Sequence, residues 1–439
     1  MASDALHREL NGSWKAATRA AFRFSVVYFT LYAAATQFLG GLLLFPGFSF
    51  PALGTIWPMR DITIWWADRV LRVSSPLIYT GNSGDTAFYW VQTLWLLLLA
   101  GVIALVWAEL DRRREYTRLH AWFRLFLRFA LAAQMFYYGM AKVIPTQFPR
   151  PSLVTLLEPI GNLSLADMLW TFMGASTAYQ VFTGCAELLA GILLLVPHTT
   201  MLGALIGLAD MTQVFVLNMT YDFGLKQISF HLILMFLFLL APDIRRLTDA
   251  FVLNRRAAAS ADPPLWRTAR TNRVALGLQL AFGLYLLVMF ANLSLGNWEA
   301  FGGGRARSPL YGIWQVEQLS IDGQVRPPVM NAYDYRWRRV IFDAPDVVVV
   351  QRTDDSFLHY GATMEEGGRG LTLRKGSSSA WKGELAVERP APDRLVLSGE
   401  MEGHEVEARL HLVPFDTFKL LNSGFRWIRP PDQPQRPQN

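Results

Sequence analysis

Cysteine is nearly missing from this chain: Cys185 stands alone among 439 residues, so neither an intrachain disulfide nor a CxxC redox pair can form. Charge is scarce too, at 17% of residues against the roughly 25% usual in soluble domains. No Walker A loop, GxGxxG turn or HExxH helix occurs, so the common signatures of nucleotide binding and zinc hydrolysis are missing. The apolar runs hold no pair of histidines spaced for haem or a metal, and no metal site is expected. What is abundant is apolar: 52% hydrophobic residues, with 29 Phe and 15 Trp. Such a composition makes lipid part of the solvent. The net charge of +6 then reads as membrane topology, and no nucleic-acid partner is expected.

Seven apolar runs are long enough, or nearly so, to cross a bilayer: Phe24–Phe45, Phe88–Ala108, Phe123–Ile144, Tyr179–Val196, Met201–Leu217, Ile228–Ala241 and Val274–Leu293. The first, of 22 residues, is too long for the apolar part of a signal peptide and leads into further spans, so no cleavable leader is expected. Basic residues mark one side. Lys15, Arg19 and Arg23 precede the first run; Arg112, Arg113, Arg114 and Arg118 follow the second; Arg245, Arg246, Arg255, Arg256, Arg267, Arg270 and Arg273 follow the sixth. Seven crossings put all three clusters on one face, the cytoplasmic one by the positive-inside rule, and the C-terminal region outside. This is the pattern of a bacterial inner-membrane protein. In the outer loops, Asp61–Arg72 reads as amphipathic with Trp65 and Trp66 at headgroup level, and Ser164 with Asp167 forms a capping box opening a surface helix over Leu165–Met173. Arg124 and Arg128, near the cytoplasmic end of the third run, are expected to snorkel, and Cys185 to pack as a small apolar residue.

Beyond Pro309 the period becomes strand-like. Gly312–Leu319, Arg339–Phe342, Val347–Gln351, Leu371–Arg374, Glu384–Val387, Arg394–Leu397, Val406–Val413 and Phe418–Leu421 are short β-forming segments between turn signals such as Asp322-Gly323 and Asp354-Asp355. The expected fold class is thus an α-helical transmembrane bundle of about seven spans followed by a small antiparallel β-barrel or sandwich. The bundle occupies 1–294, an extracytoplasmic β-rich domain 305–430, and a Pro/Gln/Arg-rich disordered tail 431–439.

Ionisable residues inside apolar runs are the candidates for function, since each costs roughly 2.5–3.5 kcal/mol at mid-bilayer on insertion scales. Helical phase gathers them into stripes. Gln180, Gly184, Glu187 and Gly191 share a face of the fourth run; Gly203, Gly207 and Asp210 share one of the fifth; Gln134, Tyr138 and Lys142 lie a turn apart on the third. Tyr221–His231 adds Asp222, Lys226 and His231, the one histidine placed inside the bundle. The simplest assembly is a polar pocket in the outer half of the bundle. There Glu187, Asp210, His231 and Lys226 would relay protons or hold a ligand's polar group, with Lys142, Tyr138, Gln134, Asn218 and Asp222 as further ligand-binding residues. The competing reading is structural: the acids hydrogen-bonded across helix contacts, the lysines snorkelling to headgroups.

The run Tyr137–Leu247 carries YYGMAKVIPTQFP (Tyr137–Pro149), LLEPIG (Leu156–Gly161), FMGAS and YQVFTGCAELLAGILLL (within Phe172–Leu195), LNMTYDFGLKQISFHLILM (Leu217–Met235) and LLAPDIRRL (Leu239–Leu247). These segments resemble the DoxX-like family of bacterial integral membrane proteins, with a core at about 120–250. The resemblance implies a compact helical bundle; some members are similar to subunits of quinone-linked oxidation systems. A weaker likeness is to the transmembrane part of vitamin K-dependent carboxylases. Gly312-Ile313-Trp314 resembles the G-x-W signature of lipocalins, with Arg426 as the cation to pack on that tryptophan.

Three functions remain open, and the sequence leaves enzymatic status undecided. The first is a redox protein or subunit taking quinone as a lipid-soluble carrier. The second is a non-enzymatic binding or transport-related protein handling an apolar ligand through its β domain. The third is an anchor presenting that domain to a periplasmic or membrane protein partner.

Overall fold

A computed structural model of the chain describes residues 14–79, 84–258, 265–266, 268–327, 336–365, 367–375, 382–424 and 426–428. The tail at 431–439 and Arg267 lie outside the described residues. The chain forms two compact units: Met1–Phe148 with Ala178–Gly302, and Pro149–Thr177 with Gly303–Asn439.

Among its described residues the first unit is built on seven long helices: α1 (Ala16–Ala35), α2 (Ala87–Leu110), α3 (Thr117–Val143), α4 (Thr177–Leu195), α5 (Thr200–Thr220), α6 (Lys226–Leu240) and α7 (Ala269–Ala300). Among the described residues, five helical stretches are long and apolar enough to cross a membrane: Ala87–Leu110, Thr177–Leu195, Pro197–Thr220, Lys226–Phe251 and Ala269–Ala300. α3 is not one of them, and its position explains why. Leu127, Ala130, Leu131, Ala133, Met135 and Phe136 of α3 are fully buried, and α3 packs against both α6 and α7. A central helix meets other helices rather than lipid, so it can carry polar groups on several faces. α7 is the opposite case: only 17% of its most apolar window is buried, leaving most of its surface for lipid. The first apolar run is not one helix. α1 stops at Ala35, Thr36 adopts an extended conformation, and a short helix follows over Gln37–Leu42. Thr36 Oγ1 donates to the Tyr32 carbonyl at 2.7 Å, a back-bond that competes with helix continuation.

Arginines knit one end of the bundle. Arg23 of α1 donates to the Asp111 carbonyl just past α2 (2.8 Å) and to the Tyr116 hydroxyl (2.9 Å). Arg128 of α3 donates to the Leu194 and Leu195 carbonyls at the end of α4, both at 2.8 Å. Arg124 donates to Leu239 O in the last turn of α6 (3.3 Å) and lies 3.8 Å from Asp243. The last carbonyls of a helix lack intrahelical donors and carry the negative end of its dipole. Arg124 and Arg128 therefore point inward instead of snorkelling: orphan carbonyls inside the bundle hold them more firmly than distant headgroups would. The same bonds show that α2, α4 and α6 finish where α1 and α3 begin. Cys185 departs from expectation as well, being exposed on the outer side of α4.

The second unit holds an eight-stranded antiparallel barrel: β1 (Gly312–Ile321), β2 (Trp337–Phe342), β3 (Val347–Arg352), β4 (Phe357–Met364), β5 (Gly370–Arg374), β6 (Lys382–Ala391), β7 (Arg394–Met401) and β8 (His404–Leu412). Each strand pairs with the next, and β8 returns to pair with β1, so no long edge is left open. Hairpin turns lie where the turn residues demanded them: Asp322 and Gly323 both take positive φ, at 52° and 73°. Trp314, Val316, Val340, Phe342, Leu371, Leu385, Leu397 and Leu410 belong to one packed apolar core. The outward residues Ile313, Ile341 and Val349 form a second small core with Leu153, sealed by Leu157, Phe415 and Phe418. Leu153, 2% exposed, thus ties the Pro149–Thr177 segment to the barrel, a contact worth roughly 1.5–3 kcal/mol for one fully buried side chain.

Two strand expectations fail. Phe357–Met364 is a strand that its Gly and His obscured, and Phe418–Leu421 is not a strand: Phe415–Thr417 and Lys419–Asn422 are short helical turns after Pro414. The cation on Trp314 is Arg389, 5.8 Å from the ring centroid, and not Arg426. β6 lies beside the first strand's ring across the barrel, which linear sequence does not reveal. The capping box at Ser164 is present in full and opens a helix over Leu165–Ala175.

Candidate functional site

The geometry is set by glycines that bring helices into backbone contact. A Cβ at Gly184 of α4 would lie 2.7 Å from both Gly139 O and Lys142 Cβ, and 3.0 Å from Val143 N, all on α3. A Cβ at Gly207 of α5 would meet the Phe236 ring of α6 at 2.3 Å. Close approach of this kind lets side chains one turn away meet directly.

One turn from Gly184, Glu187 meets Lys142. The Lys142 Nζ donates to both carboxylate oxygens, at 2.6 and 2.8 Å. The lysine is 6% exposed and the glutamate 1%, so the pair is shielded from water. Lys142 also lies 5.7 Å from the centroid of the Tyr138 ring. Asp210 of α5 has Glu187 and Lys142 as its charged neighbours. Its Oδ2 is buried and has no hydrogen-bond partner. Two of the three Lys142 donors are used by Glu187 and one is left. The group therefore offers a remaining donor and an unmet acceptor within one buried cluster.

Tyr138 continues the polar track. Gln37 Nε2 donates to Gln134 Oε1 (2.7 Å) and to the Tyr138 hydroxyl (2.9 Å). Gln37, on the short helix after α1, was not singled out from the sequence because it lies in no periodic stripe. His231 forms the next group with two tyrosines of α1. Its Nε2 shares a hydrogen with the Tyr28 hydroxyl at 2.6 Å, its Nδ1 faces Gln227 O at 2.6 Å, and its ring stacks on Tyr32 with centroids 3.7 Å apart. With Nδ1 protonated by its bond to the carbonyl, Nε2 accepts from Tyr28. The Tyr32 hydroxyl is buried without a partner, and Tyr28 and Tyr138 are its phenolic neighbours. Tyr28 and Tyr32 repeat at i, i+4, the one signal that would have found them.

The remaining candidates stand apart. Lys226 Nζ pairs with Asp222 at 2.7 Å and lies 3.9 Å from Asp85. Asp222 is 85% exposed at its side chain and sits at positive φ in the α5–α6 turn, so it belongs to a solvated surface. The Lys226 ammonium holds the Asp222 carboxyl below its ordinary range. Asp85 caps α6, accepting from the backbone N–H groups of Lys226 (2.7 Å) and Gln227 (2.9 Å). Asn218 donates to Leu225 O and Ser229 Oγ, both at 3.2 Å, and fixes the same turn. Gln180, one of the striped residues, faces the Phe148 backbone: with its amide turned to match, the nitrogen donates to Phe148 O at 2.9 Å and the oxygen accepts from Phe148 N at 3.1 Å. The expected single pocket is thus resolved into three groups: Lys142–Glu187–Asp210 with Tyr138 beside Lys142, His231 with Tyr28 and Tyr32, and a separate Asp222–Lys226–Asp85 turn. Among the described residues no cluster of three metal-ligating side chains occurs.

No family profile matches the chain, and no solved structure matches it. Among curated proteins, the uncharacterized protein YwoB of Bacillus subtilis (strain 168) is 37% identical over 140 residues, which cover 32% of this chain and 86% of YwoB. With most of that relative's length matched at this identity, the chain belongs to the YwoB family.

Proposed function

We propose that this membrane protein binds the head group of a lipid-soluble quinone or quinol at Lys142, Glu187 and Asp210, as a redox-linked protein or subunit. The observation that carries the reading is the buried Asp210 Oδ2 without a partner, beside a lysine that keeps one donor in reserve. A carbonyl oxygen would accept from Lys142, and a hydroxyl would donate to Asp210. A quinol held there would give up two electrons to a partner oxidoreductase and two protons, which Asp210 would accept one after the other, with Tyr138, Tyr32 and His231 supplying groups along which each would leave. The DoxX-like resemblance of Tyr137–Leu247 favours the same class of ligand. Seven crossings fit the alternating helix directions, with α1 and α3 as the two additional spans. The arginine-rich end is then cytoplasmic and the barrel periplasmic, in a bacterial inner membrane. Binding of a short-chain ubiquinone analogue to purified protein in detergent tests the reading. Wild type should bind saturably and Asp210→Asn at least about tenfold more weakly, the value of one charge-assisted hydrogen bond; equal affinities would exclude it.

A second reading is favoured by the barrel. Its up-and-down order, its Gly312-Ile313-Trp314 strand and the Arg389 cation over Trp314 are lipocalin-like, which supports an apolar ligand held by the β unit. Mass spectrometry of lipids co-purifying with wild type and with a Trp314→Ala variant separates this reading from the first.

A further inference from the structure

We infer that the outer face of the barrel carries an oxyanion-binding site built on Arg336 and Thr353. Trp337 of β2 pairs with Arg352 of β3, and Arg336 and Thr353 are the next residues beyond that pair, Arg336 before β2 and Thr353 in the turn after β3. Arg336 is 3% exposed, and its Nη1 is buried with no hydrogen-bond partner. Thr353 Oγ1 is buried and equally without one. Two unused donors therefore lie at the same end of one strand pair, which buried polar groups rarely tolerate.

The neighbouring acids do not relieve this. Asp355 is taken by the Arg338 guanidinium and by Gln351 Nε2 at 3.0 Å. Asp354 accepts from the N–H and hydroxyl of Ser356, at 3.0 and 2.6 Å. Arg339 spends its guanidinium on Gln315 Oε1 (3.1 Å) and Gln351 Oε1 (2.8 Å), two neutral oxygens. Among the described residues no carboxylate forms an ion pair with Arg336, and burial alone pushes its guanidinium below the ordinary arginine value. A shielded cation without a counter-charge is destabilising, whereas a planar or tetrahedral oxyanion would satisfy both donors and the charge together. The ligand class is a carboxylate or phosphate group. It comes either from a small soluble anion or from an anionic lipid headgroup. The site shares no residue with the Lys142–Glu187–Asp210 cluster, so it stands whether or not quinone binds there.

The test is calorimetric titration of the full chain, in nanodiscs of zwitterionic lipid and anion-poor buffer, with inorganic phosphate. A parallel thermal melt compares nanodiscs with and without phosphatidylglycerol. Wild type should bind phosphate, or be stabilised by phosphatidylglycerol if the headgroup is the source. Arg336→Gln should weaken the response about tenfold or more, and the isosteric Thr353→Val several-fold. In anion-poor, zwitterionic conditions Arg336→Gln should melt no lower than wild type, because it removes an uncompensated charge. The site does not exist if wild type responds to neither probe, or if Arg336→Gln responds as wild type does. A melting temperature for Arg336→Gln well below wild type without anion would also overturn it, since the side chain would then have an internal partner.

Discussion

Glu187→Met leaves Lys142 buried in the bundle with its two short hydrogen bonds to a carboxylate gone. Removing one partner of a buried pair typically costs about 3–5 kcal/mol, because the survivor's charge is left unpaired. Lys142→Met should cost a similar amount for the mirror reason. The double variant Lys142→Met/Glu187→Met removes both charges together, and replacing a buried ion pair by apolar side chains is often neutral or stabilising by about 1–4 kcal/mol. The double-mutant cycle should therefore give a coupling of at least about 3 kcal/mol, a factor above a hundred in the unfolding equilibrium. Unfolding in SDS mixed micelles, followed by tryptophan fluorescence, measures all three variants against wild type. The double variant should fold well and bind no quinone analogue. That combination separates function from stability, since a merely structural pair has no binding to lose. A coupling below about 1 kcal/mol would refute the reasoning, because it would mean that water or headgroups already screen the pair.

Gly184→Ala should destabilise the bundle by about 1–3 kcal/mol in the same assay, since backbone atoms of α3 block the new methyl group. Ala at Gly101, where nothing lies within 4 Å, should be neutral. Arg128→Gln should cost about 1.5–3 kcal/mol by removing charged hydrogen bonds to the end of α4; a cost within error of zero would mean that water caps those carbonyls. In the barrel, hydrogen bonding from His404 and the Glu405 N–H holds the Asp322 carboxyl below its ordinary value. A depressed acid stabilises above its unfolded pKa and loses that contribution as pH falls through its folded one. The β1 hairpin should therefore loosen on acidification below about pH 4, seen by hydrogen exchange, and Asp322→Asn should flatten that dependence.

The barrel was largely legible because period-2 alternation and turn residues such as Asp322-Gly323 are local signals. The helical runs were legible for the same reason, apart from the break at Thr36, which depends on a side-chain bond to Tyr32 O. Glu187 and Asp210 were visible as charges on glycine-lined faces. Lys142 was visible in the same expected pocket, but its direct pairing with Glu187 was not, since it depends on Gly184 packing on α3, a long-range fact. Gln37 was missed because it lies in no periodic stripe, and Tyr28 and Tyr32 because uncharged tyrosines within an apolar run give little signal beyond their i, i+4 spacing. Lys226 and Asp222, grouped with His231 by proximity in sequence, pair with each other at the solvated α5–α6 turn, whereas His231 is buried against Tyr28 and Tyr32. The union of Pro149–Thr177 with the barrel rests on Leu153 meeting Ile313, a contact between residues 160 positions apart.

The central claim is that a quinone head group lodges among α3, α4 and α5. Photocrosslinking an azido-quinone to the purified protein and mapping the label by peptide mass spectrometry tests it most directly. The account predicts labelled residues within a turn of Lys142, Glu187 and Asp210, with competition by unlabelled quinone. Label confined to the lipid-facing side of α7 or to barrel strands 312–412, or label that quinone does not displace, would contradict it.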